Sequence, residues 1–288
     1  MKHTVFLCVG GDARQTYTGR ALAACGKVYS YGIHTDGNEV IRLESLDAME
    51  EKADVLVLPI MKQDGLKIAC ADGKNVYCTE LPKHLEKGAL VVGGRLSILQ
   101  IEYFSALGFD VADYFKREEL VIKNCIPTAE GALQIAMQET GACIFGSNVL
   151  VIGYGRVGKA TAKLFKAVGA NTAVAARRLS SIAEAENYGM RSFDINEMYG
   201  HIPGFSVIIN TVPAMVLDNG MLEAVAKNAV IIDLASKPGG VDFEAANQLN
   251  RRVVWALSLP GRVAPITSGE IIADAVRNII LERGRKNA

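Results

Sequence analysis

This chain lacks the features that mark a membrane, nucleic-acid or metal protein. It has no charge excess, since Lys plus Arg and Asp plus Glu both number 31, so no net field draws it to nucleic acid or to an anionic membrane. No apolar run approaches the roughly 18 residues of a membrane span. Met1-Lys2-His3 leads into a short strand with no signal-peptide cleavage pattern, and a cytoplasmic protein is expected. The six cysteines (Cys8, Cys25, Cys70, Cys78, Cys125, Cys143) form no Cys-x-x-Cys pair. Several sit inside apolar runs, so they read as small reduced core residues. The four histidines (His3, His34, His84, His201) stand apart from one another and from paired carboxylates. No metal is expected, and no histidine stands out as a general base.

What is present is an α/β pattern. The chain has 288 residues, 50% of them hydrophobic, enough for about two domains with sizeable cores. The most informative stretch runs from Val149 to Gly158, where an apolar strand enters Gly153-Tyr154-Gly155-Arg156-Val157-Gly158. A helix follows, with Val157, Ala160, Leu164, Phe165 and Val168 at helical spacing, and Asn171 to Ala176 read as the next strand. This G-x-G-x-x-G turn is a dinucleotide-phosphate cradle. Gly153 permits the tight turn, Gly155 the approach of a pyrophosphate, and Gly158 close packing of helix on strand.

The order of elements occurs twice. In the first half, strands at Thr4–Val9, Ala53–Leu58, Gly88–Val92 and Phe109–Phe115 are expected; in the second, at Asn148–Ile152, Phe205–Val212, Val230–Asp233 and Arg252–Leu257. Apolar strands alternating with helices predict two doubly wound parallel-sheet domains, the second a Rossmann dinucleotide-binding domain. The expected division is a substrate domain over 1–124, a bridging helix over 125–145 and a dinucleotide-binding domain over 146–265. A last helix from about Ser268 to Glu282, within a C-terminal segment 266–288, packs back on the first domain and ends in a frayed tail from Arg283.

The residues that carry chemistry cluster at strand ends. About twenty residues past the fingerprint an NAD site places an acid against the ribose, but this chain has Ala175-Ala176-Arg177-Arg178. Two guanidinium groups suit a 2′-phosphate, which favours NADP; the alternative is solvated surface charge. Asn210, Thr211 and Pro213 close an apolar strand in a way that suits a ligand-facing edge. Asp233-Leu234-Ala235-Ser236-Lys237 closes another, with Asp233 either at the ligand or anchoring its loop, and Lys237 either near the nicotinamide or exposed. In the first half, Gly10-Gly11-Asp12-Ala13-Arg14-Gln15 echoes the cofactor turn with functional side chains. Arg14 at a helix start suits a carboxylate, the alternative being Asp12 as a helix cap with Arg14 on the surface. Arg95 follows a further strand end, after Gly93-Gly94. Thr128 and Glu130 open the bridging helix, Glu130 being either an acid-base group or a favourable charge at the helix start. Arg262 lies in an expected rigid loop, Leu259 to Pro265, and reaches either a ligand or solvent. Many arginines and few bases suit a small anionic substrate, such as one with two carboxylates.

These blocks together resemble the dipicolinate synthase A-subunit family of spore-forming bacteria. The resemblance rests on Gly10 to Gln15, Asn124 with Ile126 to Gly131, Gly153 to Gly158, Ala176-Arg177, Ile209 to Pro213, Asp233 to Gly240, and Leu259 to Pro265, in order along nearly the whole chain. It implies oxidation of a dihydrodipicolinate-type compound of the lysine pathway to pyridine-2,6-dicarboxylate, with NADP, in the mother cell of a sporulating bacterium. It also implies the flavoprotein-like B-subunit of dipicolinate synthase as partner. Mapped by resemblance, the cofactor residues are Gly153, Gly155, Arg156, Val157, Gly158, Arg177, Asn210, Thr211, Pro213 and Ala235. The substrate carboxylates fall to Arg14, Thr128 and Arg95. Lys237 departs from an arginine in the family, keeping charge but losing bidentate geometry.

Aromatisation supplies driving force, so such an enzyme mainly positions the ring and holds its carboxylates. Two other readings share the fold: a 2-hydroxyacid or amino-acid dehydrogenase, and a non-catalytic NADP-binding regulatory subunit. The apolar excess also suits a homo-oligomer or a partner interface.

Overall fold

The computed structural model describes residues 4–35, 37–61 and 65–286. Backbone proximity divides the chain into two units, residues 1–124 with 264–288, and residues 125–263.

The first unit is built on strands β1 (Thr4–Val9), β2 (Gly26–Tyr31), β3 (Ile41–Leu43), β4 (Ala53–Ile60), β7 (Leu85–Gly94) and β8 (Asp110–Asp113). They form one parallel sheet in the order β3-β2-β1-β4-β7-β8. The strands are apolar on both faces because both are covered. Leu7, Leu56, Leu58 and Val91 pack with Phe104 on one side, while Phe6, Cys8, Val57 and Val92 pack with Ile272 and Val276 on the other. Burial pushes the Cys8 thiol up to about 12, which leaves it an inert core group. A short antiparallel hairpin, β5 (Lys67–Ala69) and β6 (Asn75–Tyr77), stands outside the sheet. The helices are α1 (Ala13–Ala23), α2 (Ile98–Ala106), α3 (Glu118–Lys123) and, from the far end of the chain, α11 (Pro265–Lys286).

The second unit repeats the design. Strands β9 (Asn148–Ile152), β10 (Asn171–Ala176), β11 (Arg191–Asp194), β12 (Val207–Asn210), β13 (Val230–Asp233) and β14 (Arg252–Trp255) form a parallel sheet ordered β11-β10-β9-β12-β13-β14. Its helices are α4 (Cys125–Thr140), α5 (Arg156–Ala167), α6 (Leu179–Asn187), α7 (Met198–His201), α8 (Asn219–Ala224), α9 (Phe243–Gln248) and α10 (Leu259–Val263). Val149, Leu150, Val151 and Ile152 are fully buried, as a central strand with both faces covered requires.

Several segments differ from the sequence expectation. The strand expected over 205–212 is only Val207–Asn210, because pairing with β9 and β13 stops there. The strand expected over 88–92 runs further, Leu85–Gly94. The segment after Leu259 is a short helix rather than a rigid loop; a proline at the second position of a first turn gives up no helical hydrogen bond. Helix α11 begins at Pro265, a favoured first helical residue, and runs to Lys286; residues 287–288 of the tail expected to fray lie outside the described residues. Arg283 holds the last turn by bonding the Gly88 carbonyl and pairing with Asp110, each at 2.6 Å. The helix expected as a bridge over 125–145 is α4, and it packs on α5 and α10 inside the second unit.

Candidate functional site

The second unit builds a phosphate cradle from backbone. Gly153 at the end of β9 has φ +90°, a left-handed value that favours glycine. A Cβ at Gly158 would lie 2.2 Å from the Gly153 carbonyl oxygen, so only glycine lets α5 start against the turn. A Cβ on Gly155, by contrast, would meet nothing within 4 Å, which leaves its backbone open to a ligand. Gly155 is also the N-cap of α5 and makes no side-chain cap bond. The open backbone and the N–H groups of the first turn fit a pyrophosphate. Arg156 and Val157 lie in that turn, the first exposed and the second half-buried.

The strand order reverses between β9 and β12, the position at which doubly wound sheets open a crevice at their carboxyl ends. Arg177 and Arg178 follow β10, Thr211 and Pro213 follow β12, and Ala235, Ser236 and Lys237 follow β13. These residues therefore share one sheet edge with the glycine turn. Arg177 and Arg178 are both exposed, and neither forms an ion pair among the described residues. Glu184 on the following helix is occupied by Lys159 at 2.6 Å. The Thr211 hydroxyl is spent on the Ile152 carbonyl at 2.9 Å.

Two residues of that edge turn inward. Asn210 is fully buried; its Nδ2 donates to Asp233 at 2.8 Å and to the Val212 carbonyl, and its Oδ1 accepts from the Val212 N–H. Asp233, also fully buried, accepts from the Ala235 and Gly240 N–H groups at 3.0 and 2.9 Å. The structure thus corrects the placement of Asn210 at the ligand. A buried polar pair satisfies itself, and it shapes the two loops from within. Asp233 anchors its loop in the same way.

In the first unit the equivalent turn carries side-chain chemistry. Asp12 caps α1 by accepting from the Arg14 N–H at 3.2 Å, and it also accepts from Arg14 Nε at 2.9 Å and Nη2 at 2.6 Å. Cap and charge pair coexist, but Arg14 is not on the surface: it is 8% exposed. Burial opposes its charge, yet the bonds and charge of Asp12 outweigh that and raise its pKa. Gln15 is held by the Val57 carbonyl at 2.7 Å. Asp12, Arg14 and Gln15 line a cavity of about 170 Å³ together with Lys67 and Asn75 of the hairpin.

The remaining candidates lie elsewhere. Arg95, expected on the ligand edge, has φ +54° and is exposed. Its guanidinium lies over the Phe115 ring, 4.8 Å from the centroid, and it does not line the cavity. The Asp113 carboxylate holds the Arg95 and Leu96 N–H groups and turns the chain there. Thr128 and Glu130 sit in the first turns of α4, half-buried and exposed respectively. Glu130, Lys237 and Arg262 are exposed, and their side chains make no hydrogen bond or ion pair among the described residues. Sequence reasoning missed Lys67 and Asn75. Their signal was Asp72-Gly73 between two short runs, a dipeptide that favours tight hairpin turns.

Residues 5–115 match the N-terminal domain of the dipicolinate synthase A-subunit, and residues 128–245 match the NAD-binding domain of D-isomer specific 2-hydroxyacid dehydrogenases. The dipicolinate synthase A-subunit of Bacillus subtilis (strain 168) is 31% identical over 281 residues, covering 95% of each chain. The chain belongs to the dipicolinate synthase A-subunit family. The crystal structure of the family member from Bacillus halodurans superposes with a TM-score of 0.86 at 31% identity, over 96% of this chain and 97% of that one. Transhydrogenase from Sinorhizobium meliloti shares the fold, with a TM-score of 0.73 at 14% identity, over 96% and 93% of the two chains. The second unit of this family member is therefore a nicotinamide-dinucleotide-binding domain of dehydrogenase type, and the glycine turn described above is where such a cofactor fits. Among the described residues no group of His, Cys, Asp and Glu side chains could hold a metal ion, and no helix is long and apolar enough to cross a membrane.

Proposed function

We propose that this protein, together with a partner subunit, oxidises a dihydropyridine-2,6-dicarboxylate of the lysine pathway to pyridine-2,6-dicarboxylate with NADP⁺ during sporulation. The observation that carries the reading is the different use of one turn in the two units. In the second unit the turn is bare backbone suited to a pyrophosphate, and in the first it holds a buried guanidinium beside a small cavity. Family membership supplies the product, and the relatives' name, that of one subunit of a synthase, supports a B-subunit as partner. The preference for NADP⁺ rests on Arg177 and Arg178, which stand where an NAD site needs a carboxylate.

When bound, NADP⁺ supplies the hydride acceptor. The chain itself has to hold the dihydropyridine ring and take one proton, because loss of hydride and proton from adjacent ring atoms leaves an aromatic product. Arg14, kept charged by Asp12, binds a carboxylate. Thr128 and Arg262 are the further proposed substrate contacts, Glu130 is the proposed proton acceptor, and Lys237 is placed near the nicotinamide. Thr211, Pro213, Ala235 and Ser236 line the cofactor edge. The test is turnover by the purified protein with its partner, following NADPH and pyridine-2,6-dicarboxylate together. The two should form in equal amounts, and loss of the dihydropyridine without NADPH would refute the reading.

A further inference from the structure

We infer that the β5–β6 hairpin completes a subsite for a second carboxylate, with Lys67 as the residue that makes the first unit select dicarboxylates over monocarboxylates. This deepens the function proposed above and rests on it for the ligand class. Gly10 and Gly11 have φ of +59° and +100°, and the hairpin is tied to the second of them. Gly10 donates to the Tyr31 carbonyl and Gly11 to the Ala69 carbonyl of the hairpin, at 2.9 and 2.8 Å. The hairpin also fills the space beside the turn, since a Cβ on Gly10 would lie 2.6 Å from the Ile68 side chain and 2.8 Å from the Ala69 oxygen. The hairpin thus closes over the turn, which lacks the open backbone that Gly155 gives the second unit. What is left is the cavity of about 170 Å³, below the roughly 300 Å³ at which pockets for drug-sized ligands begin. That suits one small ring.

The donors are arranged for an anion with two heads. Asp12 takes the Nε and Nη2 side of the Arg14 fork. Nη1 has no partner among the described residues, which leaves the other edge of the guanidinium for a carboxylate. Because Asp12 neutralises Arg14, this pair alone gives the cavity no net charge. Lys67 changes that. It lines the cavity from the hairpin, makes no ion pair or side-chain hydrogen bond among the described residues, and stands near Asn75, which is equally free of side-chain partners. The lining thus includes a guanidinium on α1 and, on the hairpin, a lysine and an asparagine.

The experiment is calorimetric titration of the full-length chain, wild type and Lys67→Met, with pyridine-2,6-dicarboxylate, benzene-1,3-dicarboxylate and pyridine-2-carboxylate. Lys67 is exposed, so the variant should fold, and an unchanged thermal transition of the first unit checks this. Lys67→Met should weaken both dicarboxylates about tenfold or more, the usual size of one lost charge-assisted bond, and leave the monocarboxylate within about twofold. Lys67→Arg should restore most of the preference. Equal losses for all three ligands, or no loss for the dicarboxylates, would overturn the inference while leaving the proposed function standing. Benzene-1,3-dicarboxylate binding with pyridine-2,6-dicarboxylate rejected would uphold the subsite and count against the proposed product. If no dicarboxylate binds to the wild type, the inference fails.

Discussion

Arginine and aspartate work differently in the two halves of this chain, and the difference lies in what holds each side chain. Arg14 is buried and fixed by Asp12, whereas Arg177 and Arg178 are exposed, with no acid engaging them among the described residues. A fixed guanidinium suits one small ligand; two free ones suit a phosphate ester. Replacing both Arg177 and Arg178 by Ala should therefore weaken NADP binding by about tenfold or more beyond any effect on NAD, as expected for lost charge-assisted bonds. Fluorescence titration with NADPH and NADH would measure it, and equal losses would remove the 2′-phosphate assignment. The glycine turn was legible from residues alone because its spacing has one steric meaning. Asn210 was not. Whether a polar side chain at a strand end faces a ligand or its own loop depends on Asp233, which stands 23 residues away.

Helices α11 and α1 cross in close contact. Gly269 makes the crossing possible: a Cβ there would lie 2.6 Å from the Arg14 carbonyl oxygen and 2.8 Å from the Thr18 nitrogen. Thr18 Oγ1 donates to the Gly269 carbonyl at 3.1 Å across the same contact. Backbone atoms cannot yield as a flexible side chain can, so Gly269→Ala should cost about 1–3 kcal/mol and shift α11 away from α1. Urea unfolding would show the loss. Because Arg14 belongs to α1 and Ile272 of α11 lines the same cavity, ligand affinity should fall with it. Strands with continuous apolar runs, such as Asn148–Ile152, were readable from sequence because two covered faces demand such runs. The edge strands Ile41–Leu43 and Arg191–Asp194 were not expected. They are short and partly exposed, so they lack that pattern. The hairpin escaped notice for the same reason.

Across the whole molecule, each unit carries hydrophobic clusters on both faces of its own sheet, and every cluster lies within a single unit. Two such cores should unfold as two calorimetric transitions. NADP at about 100 times its Kd should add about 2.7 kcal/mol to the transition of the unit that binds it and leave the other unmoved. A shift of both together would show that the units unfold as one. The sequence by itself determined the two-fold α/β plan, the dinucleotide turn and the family, because these rest on local steric needs of glycine and on apolar periodicity. Only the tertiary structure decided which polar side chains stay available to a ligand. It spent Asn210 and Asp233 on their own loops, left Arg95 outside the cavity and set Lys67 and Arg14 in the lining of one cavity, since a side chain's role depends on neighbours that the chain places far apart in sequence.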